Sequence, residues 1–448
     1  MAEPGNDVIE HEAGHRDPYA ALRVPAFRRY SVAFILSVIA GQVQTAAVGW
    51  EIYDRSGSSA LDLGWLGLVL AIPMLILSLP AGQIADWFDR KKLFMFQQIS
   101  LGLCAIGLTI VSWKFSHAPH ALGIMYLLLG LGAAGATIGR PSREALMSGL
   151  IPAELYPNAI TWNSTSFETS SMIGPAIGGL IVWLSSPAVA YFVSAIAWAI
   201  ALALIGTLPS AKAEPKKKDG KESALTELTE GIRFVFRTRL LLAALTLDLF
   251  AVLFGGAVFL LPIFAKDILH VGAFGFGCLR AASSIGAVSM AMVQAHMPPF
   301  KKAGWALLAT VSGFAIATIV FGLSRSYVLS FIMLILTGAF DNISVVIRHS
   351  LVPLLTPDRM RGRVFAVNQI FVGSSNELGG LESGLSAWWL GAKLSVVLGG
   401  VASLLVVLLV GTGFKQVRDL GSLHDVRPAD DELPNAERQV ENKGVAPI

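Results

Sequence analysis

The stretch AGQIADWFDRKK, residues 81–92, places two acids and three bases between two long apolar runs. Each run holds about 20 mostly apolar residues, the length that a helix needs to cross the hydrocarbon core of a bilayer. The whole chain is 54% hydrophobic and only 15% charged, whereas a soluble domain carries roughly 25% charge. These features predict an all-α membrane protein in which residues 81–92 form a short polar loop between two spans.

Twelve apolar runs in the 448 residues are long enough to span a membrane. They are residues 29–52, 62–84, 93–112, 120–139, 159–184, 187–207, 240–263, 275–296, 304–323, 326–347, 364–390 and 392–414. We therefore expect a polar N-terminal segment (1–28), a six-helix bundle (29–207), a linker (208–239), a second six-helix bundle (240–414) and a disordered tail (415–448). The first 25 residues lack a basic start followed by a short apolar core, so a cleaved signal peptide is not expected.

Lys and Arg are distributed unequally between the two sets of loops that alternate along the chain. Apart from the linker, one set holds Arg90, Lys91, Lys92, Arg140, Arg143, Lys301, Lys302, Arg348, Arg359, Arg361 and Arg363. The other set holds only Arg55, Lys114, Lys266, Arg325 and Lys393. Because loops rich in Lys and Arg stay in the cytoplasm, both termini and residues 81–92 are predicted to be cytoplasmic.

The linker begins with bases and continues as an amphipathic pattern. Its bases are Lys212, Lys216, Lys217, Lys218 and Lys221. Apolar residues then recur at steps of three and four, at Leu225, Leu228, Ile232 and Val235. This spacing predicts a helix with one apolar face.

The two bundles resemble each other at an offset of 205 residues. The segment LIPAELYPNAITWN (150–163) aligns with LTPDRMRGRVFAVN (355–368). The same register pairs Arg143 with Arg348, Pro152 with Pro357, Asn163 with Asn368, Ser170 with Ser375, Gly174 with Gly379 and Gly179 with Gly384. Halves related in this way are expected to rock about a site at mid-membrane depth, where the halves meet.

The charged stretch resembles a known family signature. Its pattern, Gly82-x-x-x-Asp86-x-x-x-Arg90-Lys91-Lys92, is similar to the loop between the second and third helices of the major facilitator superfamily, and the resemblance covers residues 20–415. It implies the major facilitator fold, with a glycine that lets two helices pack closely and charges that close the cytoplasmic side. The implied gate consists of Gly82, Asp86, Arg90, Lys91, Arg143 and Arg348. In the alternative reading, the three bases only fix the orientation of the chain.

A second motif lies in the fifth predicted span. The segment SSMIGPAIGG (170–179) is similar to the antiporter motif of the superfamily, with Ser170 in place of its first glycine. The matching positions are Gly174, Pro175, Gly178 and Gly179. Small residues four apart let helix backbones approach, and Pro175 is expected to kink the helix. The resemblance implies export rather than uptake; the alternative is a packing seam alone, with the eighth span (Gly275, Gly277 and Gly286) as the partner.

A narrower resemblance concerns the branch of the superfamily. Residues 361–391 and 140–152 are similar to the enterobactin-exporter branch, which includes siderophore and macrolide exporters. The resemblance implies proton-driven efflux across a bacterial inner membrane and leaves the cargo open.

Ionisable side chains within the predicted spans are candidates for proton coupling. A charged group inside a membrane helix is costly unless it is paired or neutral. The candidates are Glu377, Glu168, Asp341, Asp248 and Glu382. Glu377 and Glu168 lie nearest the middle of their spans, whereas Asp341 is spaced to pair with Arg348. The alternative for each acid is a structural role, capped by Ser or Asn or paired with Arg.

Amides and aromatic rings on the same spans are candidates for the cargo site. These residues are Gln42, Gln44, Asn163, Asn368, Gln369, Asn376, Trp162, Phe167 and Phe371. Amides beside aromatic faces suit an amphipathic organic cargo, although a single aromatic can equally face lipid or pack in the core.

The expected function is export of a siderophore, drug or metabolite by proton antiport and alternating access, with membrane lipids as surroundings and no nucleic-acid partner. The alternatives are lipid, lysolipid or nutrient transport by the same fold, or a membrane sensor without flux. No Gly-x-x-x-x-Gly-Lys-Ser/Thr phosphate-binding loop is present. Six of the eight histidines fall in the tail, the termini or the outer loops, and no pair is interpreted as a ligand set, so neither an enzyme, a cofactor nor a metal site is expected. Cys104 and Cys278 are expected to be small buried hydrophobes, and the chain is expected to be a monomer.

Overall fold

The structure, a computed structural model, describes residues 17–115, 118, 120–210, 224–298, 300–357 and 360–422. These residues form helices, and no strand occurs among them. The helices are α1 (Ala20–Arg23), α2 (Pro25–Arg55), α3 (Ala60–Trp87), α4 (Arg90–Lys114), α5 (Ala121–Gly149), α6 (Tyr156–Leu184), α7 (Pro187–Gly206), α8 (Ala224–Arg237), α9 (Arg239–Phe254), α10 (Leu261–Ile263), α11 (Gly272–Ala295), α12 (Ala303–Leu323), α13 (Tyr327–Leu355), α14 (Arg361–Leu390), α15 (Ala392–Gly413) and α16 (Lys415–Arg418). A 3₁₀ turn (Ala153–Leu155) precedes α6, and a π-helical turn (Phe264–Ile268) follows α10.

Ten segments of the described chain are long and apolar enough to cross a membrane. Two of the predicted spans are not among them. Span 240–263 is divided, because α9 ends at Phe254 and a turn separates it from α10. Span 364–390 corresponds to α14, which carries two arginines and two glutamates. The all-α membrane fold is confirmed, while the count of twelve spans stays a prediction.

The stretch at residues 81–92 is more helical than predicted. Helix α3 continues to Trp87 and α4 begins at Arg90, so only two residues connect them. Asp89 caps α4, since its carboxylate accepts hydrogen bonds from the backbone N–H groups of Lys91 (2.8 Å) and Lys92 (3.3 Å). A carboxylate at this position satisfies donors that have no partner within the helix. One acid of the stretch therefore acts as the cap that makes so tight a turn possible.

Each half of the chain packs in the same pattern. In the first half (residues 17–210, the N-half) α2 packs on α6 and α7, α3 on α5, and α4 on α5 and α7. In the second half (residues 224–422, the C-half) α9 packs on α14 and α15, α11 on α13, and α12 on α13 and α15. The five pairs of the N-half recur, position for position, in the C-half. The packing thus repeats where the sequence repeats.

Two helix crossings join the halves, α3 with α14 and α6 with α11. At the first, a Cβ built on Gly384 would lie 2.3 Å from the Cα of Gly64. At the second, a Cβ built on Gly179 would lie 2.8 Å from the Cα of Gly277. A Cβ on Gly384, Gly179 or Gly277 would therefore clash with the backbone of the facing helix, and one on Gly64 would be tight, at 3.1 Å from the Gly384 Cα.

We call the end of the molecule where α3 passes into α4 the basic end, and the other the opposite end. Both glycine crossings lie toward the opposite end. At the basic end, by contrast, a Cβ built on Gly82 or Gly362 would meet no atom within 4 Å. The glycine crossings therefore bring the halves into contact toward the opposite end, whereas Gly82 and Gly362 at the basic end face open space.

A cluster of side chains at the opposite end, here called the α2 seal, joins α2 to the π-helical turn. The Tyr53 hydroxyl donates a hydrogen bond to the Asp267 carboxylate. The Lys266 ammonium donates to the Asp54 carboxylate at 2.5 Å. Close by, the rings of Trp50 on α2 and Phe276 on α11 are 5.9 Å apart. The seal holds the two halves together at this end.

The linker helix and the chain's last described segment pack on the C-half. Helix α8 lies against α14 and α9 with Val235 buried, and Glu230 pairs with Arg363. The carbonyls of Gly421 and Leu420 accept hydrogen bonds from the first N–H groups of α12, those of Ala303 (2.9 Å) and Gly304 (3.2 Å). The tail predicted to be disordered from residue 415 is therefore ordered as far as 422, since it caps a helix. The predicted linker lysines and residues 1–16 lie outside the described residues.

Candidate functional site

Three of the predicted proton-coupling acids lie where the halves meet. Glu168 on α6 and Asp341 on α13 belong to different halves and interact electrostatically. Glu377 on α14 reaches into a cavity of the N-half. The structure thus brings carboxylates from both halves to their interface.

The cavity that contains Glu377 has a volume of about 240 Å³. Its walls come from α2, α3, α4, α5 and α7, and Arg140 on α5 lies in it as well. The electrostatic neighbours of Glu377 are Arg140 and Arg280, the latter on α11. We call this space the Arg140 cavity.

A second cavity of about 220 Å³ adjoins the first toward the basic end. The two share Gly41, Thr45 and Trp198 as lining residues. Gln42 and Phe167, both predicted to line the cargo site, are part of this second cavity. Gln42 also donates a hydrogen bond to the Ser171 hydroxyl at 3.2 Å, which fixes its amide against α6.

The acids of the C-half form an ion-pair network around Arg348. Asp248 is buried (6% exposed) and pairs directly with the Arg348 guanidinium. Asp341 lies 3.7 Å from the same guanidinium and is 48% exposed. Arg348, predicted as a gate residue, is buried inside the C-half, where its side chain turns toward Asp248. Asp341 also lines a cavity of about 170 Å³ with Asn376, another predicted cargo residue.

The remaining predicted acid, Glu382 on α14, is half-buried and accepts a hydrogen bond from the Ser383 hydroxyl at 3.5 Å. Among the remaining amides, Gln44 lines the Arg140 cavity, Asn163 is half-buried, Asn368 is buried and Gln369 is exposed.

Two predicted cargo residues, Trp162 and Phe371, make packing contacts outside the Arg140 cavity. The Trp162 indole N–H donates to the Pro18 carbonyl at 2.9 Å, and its ring packs 5.5 Å from that of Tyr19. Trp162 lies only two turns into α6 at the basic end, where the chain before α1 covers it. Phe371 packs against the hydrophobic core of the C-half. Neither ring contributes to the Arg140 cavity.

The predicted gate residues of the N-half make contacts within that half. Arg90 donates to the Ala145 carbonyl at 3.2 Å. Lys91 donates to the carbonyls of Gly206 (2.7 Å) and Leu208 (2.6 Å), at the end of α7. Arg143 lies 5.2 Å from the centre of the Phe34 ring and 3.6 Å from the Glu144 carboxylate. The Asp86 side chain lies outside the described residues.

The antiporter-like motif packs α6 between two neighbours. A Cβ built on Gly174 would lie 2.5 Å from the Gln42 Cβ, and one on Gly178 would lie 2.9 Å from the Val43 carbonyl oxygen, both on α2. Gly179 faces α11 in the crossing described above, and Pro175 lies beside it, with its carbonyl oxygen 2.5 Å from a Cβ built on Gly277. Ser170 is buried and α6 continues through Pro175 as a single helix.

Sequence reasoning missed Glu51, a buried acid in α2. It is 4% exposed, pairs with Arg55 at 2.6 Å and accepts from the Ser112 hydroxyl at 2.7 Å. Arg55 in turn donates to the Ser112 and Phe115 carbonyls at the end of α4. The i, i+4 spacing of Glu51 and Arg55 was the available signal. Arg140 was also missed as a cavity residue, because it was counted among the loop bases.

Within the described residues no group of three His, Cys, Asp or Glu side chains could hold a metal ion. Cys104 is buried and Cys278 is half-buried, and both are free thiols.

Residues 16–442 match the sequence profile of the MFS_3 family, described as transmembrane secretion effectors. Enterobactin exporter EntS of Shigella flexneri is 26% identical over 390 residues, 86% of this chain and 90% of that protein. The uncharacterized MFS-type transporter YfiS of Bacillus subtilis strain 168 is 25% identical over 372 residues, 80% of this chain and 86% of its own length.

Two solved structures share the fold at low sequence identity. A POT family transporter in complex with 5-aminolevulinic acid gives a TM-score of 0.69 at 13% identity, covering 88% of this chain and 96% of that one. The D-xylose-proton symporter gives 0.63 at 13% identity, covering 87% and 96%. Both confirm the major facilitator architecture.

Proposed function

The chain belongs to the MFS_3 family of transmembrane secretion effectors, and from this premise we propose that it exports a small amphipathic organic compound in exchange for protons. It is a transporter and not an enzyme. The observation that carries the proposal is the interface between the halves, where Glu168 and Asp341 interact and Glu377 reaches the Arg140 cavity, with the α2 seal closing the opposite end.

The proposed orientation follows from charge. Loops rich in Lys and Arg stay on the cytoplasmic side, so the basic end faces the cytoplasm of a bacterial cell and the α2 seal faces outward. The halves touch at the opposite end, and Gly82 and Gly362 at the basic end face open space, which supports a conformation that accepts cargo from inside. An exporter loads in this state and releases its cargo after the α2 seal opens and the basic end closes.

We assign proton coupling to Glu168 and Asp341. Two carboxylates that approach each other hold a proton between them more readily than either does alone. Because the two belong to different halves, rocking of the halves changes their separation and therefore their hold on that proton. Asp248 is not assigned this role because it is paired with Arg348.

The proton gradient can supply the energy. One charge that crosses a potential of about 100 mV releases about 2.3 kcal/mol, whereas a tenfold concentration gradient of solute costs about 1.4 kcal/mol. Exchange of one or two protons per cargo molecule therefore sustains a gradient without nucleotide hydrolysis.

The relatives and the cavity lining support export of an organic compound. The Shigella flexneri relative is named an enterobactin exporter, and the adjoining cavity combines the Gln42 amide with the Phe167 ring. An amide beside an aromatic face suits a molecule with both polar and apolar parts.

The proposal is tested by flux into inverted membrane vesicles under an imposed pH gradient. The cargo panel comprises enterobactin, macrolides and other drugs, and the proteins are the wild type, Glu168→Gln and Asp341→Asn. We expect both variants to lose gradient-driven accumulation but to retain exchange of labelled for unlabelled cargo, because the cargo site remains. Glu382→Gln serves as the matched control and is expected to keep both activities.

Wild-type accumulation that persists after the pH gradient is collapsed would contradict proton coupling. Full accumulation by Glu168→Gln and Asp341→Asn would show that the coupling carboxylate lies elsewhere. Absence of any flux or exchange across the panel, with folded protein present, would contradict export of these cargo classes.

A further inference from the structure

The Arg140 cavity contains buried polar atoms that have no partner. The indole N–H of Trp198 (4% exposed), the Gln44 Oε1 (7% exposed) and the Glu377 Oε2 form no hydrogen bond with any described residue. Buried polar groups in folded proteins are nearly always hydrogen-bonded, to protein, water or ligand. Three unpartnered groups that line one cavity of about 240 Å³ therefore indicate a space built for a polar ligand.

The charge around the cavity is not balanced. Among the described residues, no carboxylate lies within the 4.0 Å ion-pair distance of Arg140 or Arg280. Glu377 is the carboxylate that acts electrostatically on both. Arg140 also has Arg143 and Glu144 as neighbours, and these two offset each other at 3.6 Å. Two guanidinium groups thus face a single carboxylate.

An unbalanced charge at membrane depth is unfavourable, because the surrounding lipid and apolar side chains solvate it poorly. A ligand that brings one negative charge makes the set of two arginines and Glu377 neutral. A guanidinium also offers planar pairs of donors that match a carboxylate or another oxyanion. A cationic ligand would instead raise the imbalance.

We propose that the cargo is an amphipathic anion whose charged group binds Arg140 in this cavity, with Arg280 as the second positive charge and Glu377 as the internal anion that the cargo displaces. The inference rests on the proposed transport function, which it deepens by naming the chemical class of the cargo. The Trp198 indole N–H supplies an additional donor to the bound anion, and Leu66, Leu70 and Met74 on α3 contact its apolar part.

The test is a binding measurement and does not depend on transport. Purified protein in phosphatidylcholine nanodiscs is titrated calorimetrically at pH 7 with 1-naphthoate, 1-naphthamide and 1-naphthylmethylammonium. These probes share one ring system and differ in charge. We expect the wild type to bind the carboxylate at least about tenfold more tightly than the amide, since hydrogen bonds to charged groups are the stronger ones, and to bind the ammonium most weakly.

Two substitutions are expected to act in opposite directions. Arg140→Gln lowers the affinity for 1-naphthoate to that for the amide. Glu377→Gln raises the affinity for 1-naphthoate because the competing carboxylate is gone, and leaves the amide unchanged. A defect in folding would weaken all probes together and would not produce this opposition. Arg325→Gln removes the same charge from an exposed loop and is expected to change nothing.

Equal affinities of the wild type for the three probes, or a preference for the ammonium, would overturn the inference. So would a loss of 1-naphthoate affinity in Glu377→Gln. These outcomes leave the transport proposal intact, because that proposal is judged by flux. Conversely, binding of the anion by a protein that shows no flux would support the anion site and contradict export.

Discussion

Arg143 and Arg348 occupy equivalent positions of the repeat, yet their guanidinium groups contact different kinds of side chain. Arg143 lies over the Phe34 ring and beside Glu144, whereas Arg348 is buried against Asp248 and donates to the Ser344 carbonyl at 3.2 Å. A guanidinium can stack on a ring or pair with a carboxylate. The difference between the halves follows from what one helix of each half offers: a ring on α2 and a carboxylate on α9.

Removal of the Asp248 charge should destabilise the protein strongly. Asp248→Asn leaves the Arg348 guanidinium buried without its main counter-ion, a change that costs about 3–5 kcal/mol in comparable buried pairs. Thermal unfolding in nanodiscs should show the loss. Asp341→Asn, which alters the half-exposed partner of the same arginine, is the control and should cost less than about 1 kcal/mol.

The double variant Asp248→Leu with Arg348→Met should be more stable than Asp248→Asn alone, because it removes both charges from the apolar site. A double variant that is as unstable as the sum of both single changes would contradict this account of the pair.

At the residue scale, the sequence was sufficient to identify the membrane-embedded acids, but not the arginines that lie next to them. A carboxylate within an apolar run is conspicuous, and Glu168, Asp341 and Glu377 all reach the interface. Which arginine faces which acid depends on how helices from distant parts of the chain are rotated. For the same reason Trp162, which sequence placed in the cargo site, lies under Pro18.

The two glycine crossings determine how closely the halves approach at the opposite end. A Cβ on Gly384 would lie 2.3 Å from the Gly64 Cα and 2.9 Å from the Ala60 carbonyl oxygen. Backbone atoms cannot move aside as a flexible side chain can. The crossing therefore acts as a close-fitting contact that forms when the opposite end closes.

Gly384→Ala should shift the protein toward the state that is open at the opposite end. Overpacking costs about 1–3 kcal/mol, so we expect about a tenfold increase in the open population. Single-molecule fluorescence between dyes on α2 and on the π-helical turn measures it, in a background without Cys104 and Cys278. Gly123→Ala on α5, where a Cβ meets no atom within 4 Å, should leave the distance distribution unchanged. An unchanged distribution in Gly384→Ala would mean that the crossing does not control closure.

At the element scale, hydropathy located the helices but not their irregularities. The predicted spans and the helices agree to within a few residues at most ends. The division after Phe254 was missed because Gly255 and Gly256 lie in a run whose residues are otherwise apolar. Their role is spatial: a Cβ on Gly256 would lie 2.1 Å from the Ser383 Oγ on α14. Helix breaks of this kind in transporters lie next to binding sites.

Across the whole molecule, the polar contacts of the α2 seal hold the two halves together at the opposite end. The Asp54–Lys266 pair is partly exposed, with side chains 60% and 32% accessible, and the Tyr53 hydroxyl adds a bond to Asp267. Exposed ion pairs are weak. A weak seal is appropriate for a transporter, because each cycle must break it.

Lys266→Gln should therefore raise the population that is open at the opposite end by about twofold to fivefold, the effect of an exposed pair. The same fluorescence distances measure this shift. Exchange of the two charges, Asp54→Lys with Lys266→Asp, should restore the wild-type distribution. A larger shift in the exchanged variant than in Lys266→Gln would show that the pair does not act by mutual attraction.

The overall architecture was predictable because it follows from features that can be read directly along the sequence. Apolar run lengths, the 205-residue repeat and the Gly82–Lys92 pattern all point to a major facilitator fold, which solved transporter structures share. Which end of the halves is in contact was not predictable, since the alternating states proposed for transport would contain the same helices.

The bonds from Leu420 and Gly421 to the start of α12 have a practical consequence for anyone who handles the protein. Those carbonyls accept hydrogen bonds from the backbone N–H groups of Ala303 and Gly304. A chain shortened to residue 414 would leave these two N–H groups without partners, and the start of α12 would then be the first part of the C-half to unfold. Purification tags and fluorescent fusions should therefore be attached beyond residue 422, where they leave the hydrogen bonds from Leu420 and Gly421 to α12 in place.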